Sequence, residues 1–373
     1  MHKDLQKKFL DFHQAIKLDF DDKAALQEKR DLLLKELKEW LDKQAEEKKT
    51  EKITFHSFNQ GSYAMGTGIK PLDGEDYDID VAIVYHFARG AYTPMEVKTW
   101  IYLALNKGNR TVLYKRPCMR TQYHKNGEES MHVDFASYSG ADWNEDQKSY
   151  LARGVPHDKS SQFYENSEPK ALLNIFNGKY SGDDHRQFIR VIRDKKRWKD
   201  VNFSSIGTNR PIGIGITACA MNWFSPTKDW VDGKWEYNDC KALRRLVRSM
   251  LDNFQAYWSE EKETFVRRLK VYLPVPPGND LFEKMTDAQM KDFENKLKRL
   301  LDALDKALDE EDLKKACKIL RDEFGDDFPV PETSEAKSIG AAQTAGTLVL
   351  GSTSTNYKTP VANVGGSHGK LKH

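Results

Sequence analysis

An α+β chain of two lobes is predicted, a strand-rich lobe followed by a helical one. Three observations lead there. Period-two apolar segments cluster between about residues 50 and 160, helical periodicity dominates from about 160 to 330, and the composition shifts after Pro331 to Ser, Thr, Gly, Ala and Lys. The expected boundaries are 1–160 for N-terminal helices plus the strand-rich lobe, 161–330 for the helical lobe and 331–373 for a flexible tail. At 373 residues, 39% apolar and 11% aromatic, the chain can bury a sizeable core. Its 59 basic and 57 acidic residues give a net charge of +2, so no global charge announces a nucleic-acid or membrane partner. Cys118, Cys219, Cys240 and Cys317 are scattered, which excludes a disulfide scaffold and a paired-cysteine zinc site. No stretch approaches 18 apolar residues, and Met1-His2-Lys3-Asp4 lacks a signal-peptide core, so a reducing cytoplasm is expected.

Residues 3–49 read as two charged helices with Asp21 or Asp22 as an N-cap between them. In the second, Leu26, Leu33, Leu37 and Trp40 recur at helical spacing. Strands follow at 53–58 and 77–87, then two or three more across 111–123 and 130–137, with Asn126-Gly127 a hairpin turn. A helix at 94–107 interrupts them. Helices are expected at 168–178, 184–200, 212–224, 238–260, 286–308 and 310–323, with the Pro274 to Asn279 run as a breaker.

The chemistry concentrates in Gln60-Gly61-Ser62 and Tyr77-Asp78-Ile79-Asp80-Val81-Ala82-Ile83-Val84. Side chains alternate along a strand, so Asp78 and Asp80 share one face while Ile79, Val81 and Ile83 take the other. Two strand carboxylates on one face repel unless a cation sits between them. Met131-His132-Val133-Asp134-Phe135 supplies a third acid that a neighbouring strand would bring alongside. Three such carboxylates can hold two Mg²⁺ ions, Mn²⁺ being able to substitute, and so support in-line displacement of pyrophosphate by a ribose hydroxyl. Gly61 lets the backbone approach a phosphate, and Ser62 with the N–H groups after it can grip one. An EF-hand over Asp76, Asp78 and Asp80 is excluded, because Val81 stands where that loop needs Gly.

These residues resemble a known family. Gly61-Ser62, Asp78-Ile79-Asp80 and Asp134 look like the signature of polymerase-β-like nucleotidyltransferases. Gln60-Gly61-Ser62-Tyr63, the Tyr77 to Asp80 box, Lys196-Arg197-Trp198, Glu168 to Leu172 and Asn279 to Phe282 narrow the likeness. They resemble the bacterial cGAS/DncV-like nucleotidyltransferases, cyclic-oligonucleotide synthases of anti-phage signalling. The resemblance covers about residues 50–325. It implies a bilobal polymerase-β-like fold, with a mixed β-sheet catalytic lobe and a helical lobe. It also implies a Mg²⁺-dependent enzyme that condenses ATP, and other NTPs, into a cyclic di- or oligonucleotide. By position, Asp78, Asp80 and Asp134 are the implied catalytic and metal-binding acids, and Gln60, Gly61, Ser62 and Lys196 the nucleotide-binding set. Activators or tail-modifying companions are known in the family; no membrane, zinc or nucleic-acid partner is expected.

Independent of that likeness, Arg186, Arg190, Arg193 and Arg197 form one stripe of the 184–200 helix. A solvated face or contacts to acidic helices is the expected role of that stripe. Lys196 lies beside the apolar face, from which it could reach a triphosphate. Relatives often start the next helix with Ser; here Pro211-Ile212-Gly213-Ile214-Gly215-Ile216-Thr217 offers none, leaving Ser204, Ser205 or Thr217 as substitutes. Gly213 to Ala218 formally fits a dinucleotide G-x-G-x-x-A pattern, but Asn209-Arg210-Pro211 rather than a strand precedes it. His132 shares the face of Asp134, where a strand histidine satisfied by its neighbours is the ordinary outcome. The alternative activity is template-independent extension of an RNA end, which uses the same acids.

Overall fold

The computed structural model describes residues 2–18, 20–72, 77–125, 128–204, 210–260 and 262–332. Asn126-Gly127, Ser205 and everything after Glu332, which is all but the first two residues of the expected tail, lie outside them.

Helix α1 (His2–Ile16) leads into α2 (Phe20–Lys48), which already begins at Phe20, so Asp21 and Asp22 fall inside it rather than capping it. Strand β1 (Phe55–Gln60) and the short helix α3 (Gly61–Ala64) precede β2 (Tyr77–Tyr85). Helix α4 (Pro94–Leu105) starts at a reciprocal cap: the Thr93 hydroxyl accepts from the Glu96 N–H, and the Glu96 carboxylate accepts from the Thr93 N–H. Strands β3 (Arg110–Tyr114), β4 (Met119–Lys125), β5 (Glu128–Ser139), β6 (Tyr150–Val155) and β7 (Asp158–Asn166) follow. The seven strands form one mixed sheet in the order β1-β2-β5-β4-β3, with β6 and then β7 added beside β5. Only β2 and β5 run parallel.

Burial explains why the acids emerge where they do. Ile79, Val81, Ile83 and Tyr85 of β2 pack with Val133 and Phe135 of β5 beneath α2 and α4, where Leu26, Leu33, Leu37 and Leu41 are buried. Period two then forces Asp78, Asp80, Ala82 and Val84 to the opposite face. There Ala82, Val84, Ala136, Tyr138 and Leu151 make a smaller apolar patch.

The helical part comprises α5 (Pro169–Gly178), α6 (Gly182–Asn202), α7 (Gly213–Trp223), α8 (Asp239–Asp252), α9 (Asp287–Asp309) and α10 (Leu313–Phe324). One large core joins them, and it also takes in Leu5, Phe9, Phe12 and Ile16 of α1. Thr286 with Gln289 starts α9 by the same reciprocal cap, and Asp312 caps α10.

Strand signal does not fade after residue 160. Two hairpins interrupt the helices, β8 (Lys228–Val231) with β9 (Lys234–Tyr237), and β10 (Gln255–Ser259) with β11 (Thr264–Arg268). The first is built on Asp232 at φ 49° and Gly233 at φ 82°, an Asp-Gly turn legible in the sequence. The expected 238–260 helix therefore stops at Asp252. Its apolar stripe ends at Met250, and the following residues pair across a hairpin, where Trp258 meets Phe265 at 5.3 Å. Gly215 serves packing rather than a dinucleotide turn: a Cβ there would lie 2.4 Å from the Phe282 ring. Cys219, Cys240 and Cys317 are buried, Cys118 is half-buried, and none is paired. Among the described residues no helix is long and apolar enough to cross a membrane.

Candidate active site

The parallel pairing of β2 with β5 sets Asp80 opposite Asp134 and Asp78 opposite His132. Asp78, His132 and Asp134 each place one potential ligand atom within 4.8 Å of the others. The Asp80 carboxylate instead turns toward the end of β1. Gly61, at φ +62°, approaches so closely that a Cβ there would fall 1.9 Å from Asp80 Oδ2. Gly61 is thus fixed twice, by a backbone conformation L side chains avoid and by the lack of room. Burial, then the Asp78 and Asp134 anions, pushes the Asp80 carboxyl well above its usual range, against the pull of Lys196 and Arg120. This electrostatic load fits a divalent cation, as does the oxygen-rich donor set.

Arg120, on β4 opposite Asp134, donates from Nε to Oδ1 at 2.9 Å and from Nη2 to Oδ2 at 2.7 Å. The fork fixes the carboxylate plane while leaving a second lone pair on each oxygen. Asp134 is 6% exposed and Asp78 is exposed, so the acids grade from sheet interior to open cleft.

A cavity of about 550 Å³ lies over Asp78 and Asp80, walled by Ser62, Lys196, Arg210 and Thr217 among others. Lys196 comes from α6 and donates through Nζ to the Thr67 carbonyl at 3.2 Å and hydroxyl at 3.0 Å. Its neighbours on that helix grip the same loop: Arg193 donates to the Gly66 carbonyl and Arg197 to the Lys70 carbonyl. Apart from the exposed Arg186, the arginine stripe is therefore no solvated face. Arg190 pairs with Asp239 at the start of α8, Arg186 with Asp183 of its own helix, and Arg197 also with Asp327, so the partners are single acids rather than acidic helices.

Burial, then the charge of Lys199, pulls the Lys196 amine down to about 8. The amine is therefore charged below that pH and neutral above it. Affinity for an unreactive triphosphate analogue is expected to fall as pH rises from about 7 to about 9, and Lys196→Arg to flatten the slope. Lys196→Ala should weaken binding roughly ten- to hundredfold at neutral pH, since a hydrogen bond to a charged group contributes about 1.5–3 kcal/mol. Titration of the analogue at several pH values reads both.

Gln60 lies off the main cavity. Its side-chain oxygen accepts from the Tyr138 hydroxyl at 3.1 Å, and it lines an adjoining cavity of about 190 Å³ with Glu168, Leu172 and Val275. Gly61 and Met65 border both spaces. Thr217, one turn into α7, lines the main cavity where no serine stands, and its hydroxyl donates to the Gly213 carbonyl at 3.2 Å. Sequence reasoning passed over Arg120 altogether; a strand arginine beside a strand acid was the available signal.

Residues 55–138 match the family model described as cyclic GMP-AMP synthase DncV-like, nucleotidyltransferase domain. Among solved structures, the chain is similar to the Vibrio cholerae DncV cyclic AMP-GMP synthase, a prokaryotic cGAS homolog, at 15% identity and a TM-score of 0.61 over 85% of this chain and 93% of that one. It is similar to the GTP-bound form of DncV from the same organism at 16% identity and a TM-score of 0.64, over 85% and 92% of the two chains. A third match, DncV in complex with the linear intermediate 5′ pppA(3′,5′)pG, has 16% identity and a TM-score of 0.61 over 85% and 93%. The structural likeness is one of fold, and the family match falls on the segment that carries Gly61, Ser62 and all three acids. Residues 55–138 thus resemble a DncV-like nucleotidyltransferase domain, and the chain has the bilobal polymerase-β-like fold of the Vibrio cholerae DncV structures.

Proposed function

We propose that this chain condenses ribonucleoside triphosphates, ATP among them, into a cyclic di- or oligonucleotide in a Mg²⁺-dependent reaction. One observation carries the reading: Asp78 and Asp80 line one cavity with Gly61, Ser62 and Lys196, while parallel pairing of β2 with β5 sets Asp134 opposite Asp80. Two bound divalent ions would supply charge neutralisation at the attacking and leaving oxygens. Asp78, Asp80 and Asp134 would hold them. Gly61 and Ser62, with Lys196 across the cleft, would bind the triphosphate, and Gln60 would border the second nucleotide in the adjoining cavity. Two spaces meeting at Gly61 suit a reaction that joins two nucleotides. The ATP- and GTP-derived intermediate held by the Vibrio cholerae DncV enzyme supports a purine product. The sequence resemblance supports a second-messenger role in cytoplasmic anti-phage signalling.

Incubation with all four NTPs and Mg²⁺ or Mn²⁺, followed by phosphatase and mass spectrometry, tests the proposal. A phosphatase-resistant cyclic product is expected. Absence of any such product with either metal, or a ladder grown on an added RNA primer, would overturn it.

A further inference from the structure

We infer that His132 is a nitrogen ligand of the metal centre, so that one metal position is a mixed oxygen–nitrogen site that prefers Mn²⁺ to Mg²⁺. The inference rests on the metal-dependent reading above and adds to it a donor that the three acids do not include. His132 sits on β5 directly across from Asp78 and two residues before Asp134, on the same face. It is only 8% exposed, and neither ring nitrogen makes a hydrogen bond among the described residues, although Nε2 faces the Asp78 carboxylate at ion-pair distance. A buried imidazole is ordinarily held by at least one partner, and this one is aimed into the cavity that Asp78 and Asp80 line. Its Nε2 lies 3.3 Å from Asp78 Oδ1, close to the ~3 Å that separates adjacent donors on an octahedral ion with bonds of about 2.1 Å.

The surrounding charges agree. Arg120 occupies one lone pair on each Asp134 oxygen and leaves the others directed past it, while Asp80 faces Gly61. Asp78, His132 and Asp134 are therefore the convergent trio, two oxygens and one nitrogen. Mg²⁺ takes oxygen donors and keeps its water. Mn²⁺ shares the preference of Mg²⁺ for carboxylates but, as the first member of the transition-ion affinity series, accepts an imidazole nitrogen more readily, so the nitrogen shifts the balance between these two ions toward Mn²⁺.

Pulsed EPR of Mn²⁺ bound to the full-length protein, labelled with ¹⁵N only at histidine, tests this without reference to turnover. Expected is a ¹⁵N coupling to the bound Mn²⁺, lost in His132→Gln. That variant should also bind Mn²⁺ about tenfold or more weakly while Mg²⁺ affinity stays within about twofold. The wild-type spectrum needs no variant to fold. Mn²⁺ bound without any ¹⁵N coupling would overturn the inference and leave the nucleotidyltransferase reading intact. Equal loss of Mn²⁺ and Mg²⁺ binding in a folded His132→Gln would also overturn it, because His132 would then act through the architecture alone. No Mn²⁺ binding at all would remove both.

Discussion

Asp80→Asn should eliminate product formation, by about 10³-fold or more in kcat, and yet melt at the same temperature as the parent protein or higher. The two effects share a cause. Burial and the Asp78 and Asp134 anions disfavour the charged form of Asp80, so its carboxyl titrates well above its unfolded value. A carboxyl raised in this way stabilises the fold only at low pH. Its contribution is lost as pH climbs through the ordinary carboxylate range toward the raised value, and above that range the burial and repulsion are a liability. Asparagine keeps the shape and removes that repulsion. It also removes a carboxylate from a centre where metal binding contributes several kcal/mol to the transition state, each 1.36 kcal/mol being tenfold in rate. Thermal melts of both proteins with and without divalent ion read the balance: the variant's advantage should shrink when metal is added. A variant that melts well below the parent in metal-free buffer would contradict the electrostatic account.

Gly61→Ala should also lose activity and move stability the other way. The added Cβ would fall 1.9 Å from Asp80 Oδ2, 2.7 Å from its Cγ and 3.0 Å from its Cβ. Rotating the Asp80 carboxylate relieves the first two contacts and moves it away from its place beside the phosphate turn. The residue must also hold φ near +62°, which for an L side chain is disfavoured by about 1–2 kcal/mol. Expected is a fall of 10²-fold or more in kcat/KM, together with a lowered melting temperature. The pair Asp80→Asn and Gly61→Ala thus separates charge from shape, since both lose turnover but their melts shift oppositely. If Gly61→Ala turned over at the parental rate, the Asp80 carboxylate would have no need of its observed position.

Much of this site could be read before any coordinates. Asp78 and Asp80 had to share a face because strand periodicity is two and Ile79, Val81 and Ile83 demanded the core; they are fully buried. The helices with strong apolar stripes and cap residues, α4, α9 and α10, emerge within a few residues of expectation. The short hairpins were missed because their strands are four or five residues long and partly solvated, too brief for alternation to stand out. The long 238–260 helix was overdrawn because nothing local in Gln255–Ser259 outweighs helix propensity until Thr264–Arg268 pairs with it.

Amino-acid order alone thus determined a strand-rich lobe, a helical lobe, and a set of acids with a Gly-Ser turn suited to phosphoryl chemistry, because those features depend on local periodicity and residue chemistry. Which groups face those acids was decided only in three dimensions. A register shift between Tyr123 and His124 moves β4 by one residue against β5 and brings Arg120 opposite Asp134, where the register of His124 with Glu129, if unbroken, would have offered Val133. Parallel pairing of β2 with β5 likewise chose His132 for Asp78, and the reach of α6 chose Thr67 for Lys196. Register and long-range packing are set by contacts between segments far apart in the chain, and no local pattern encodes them.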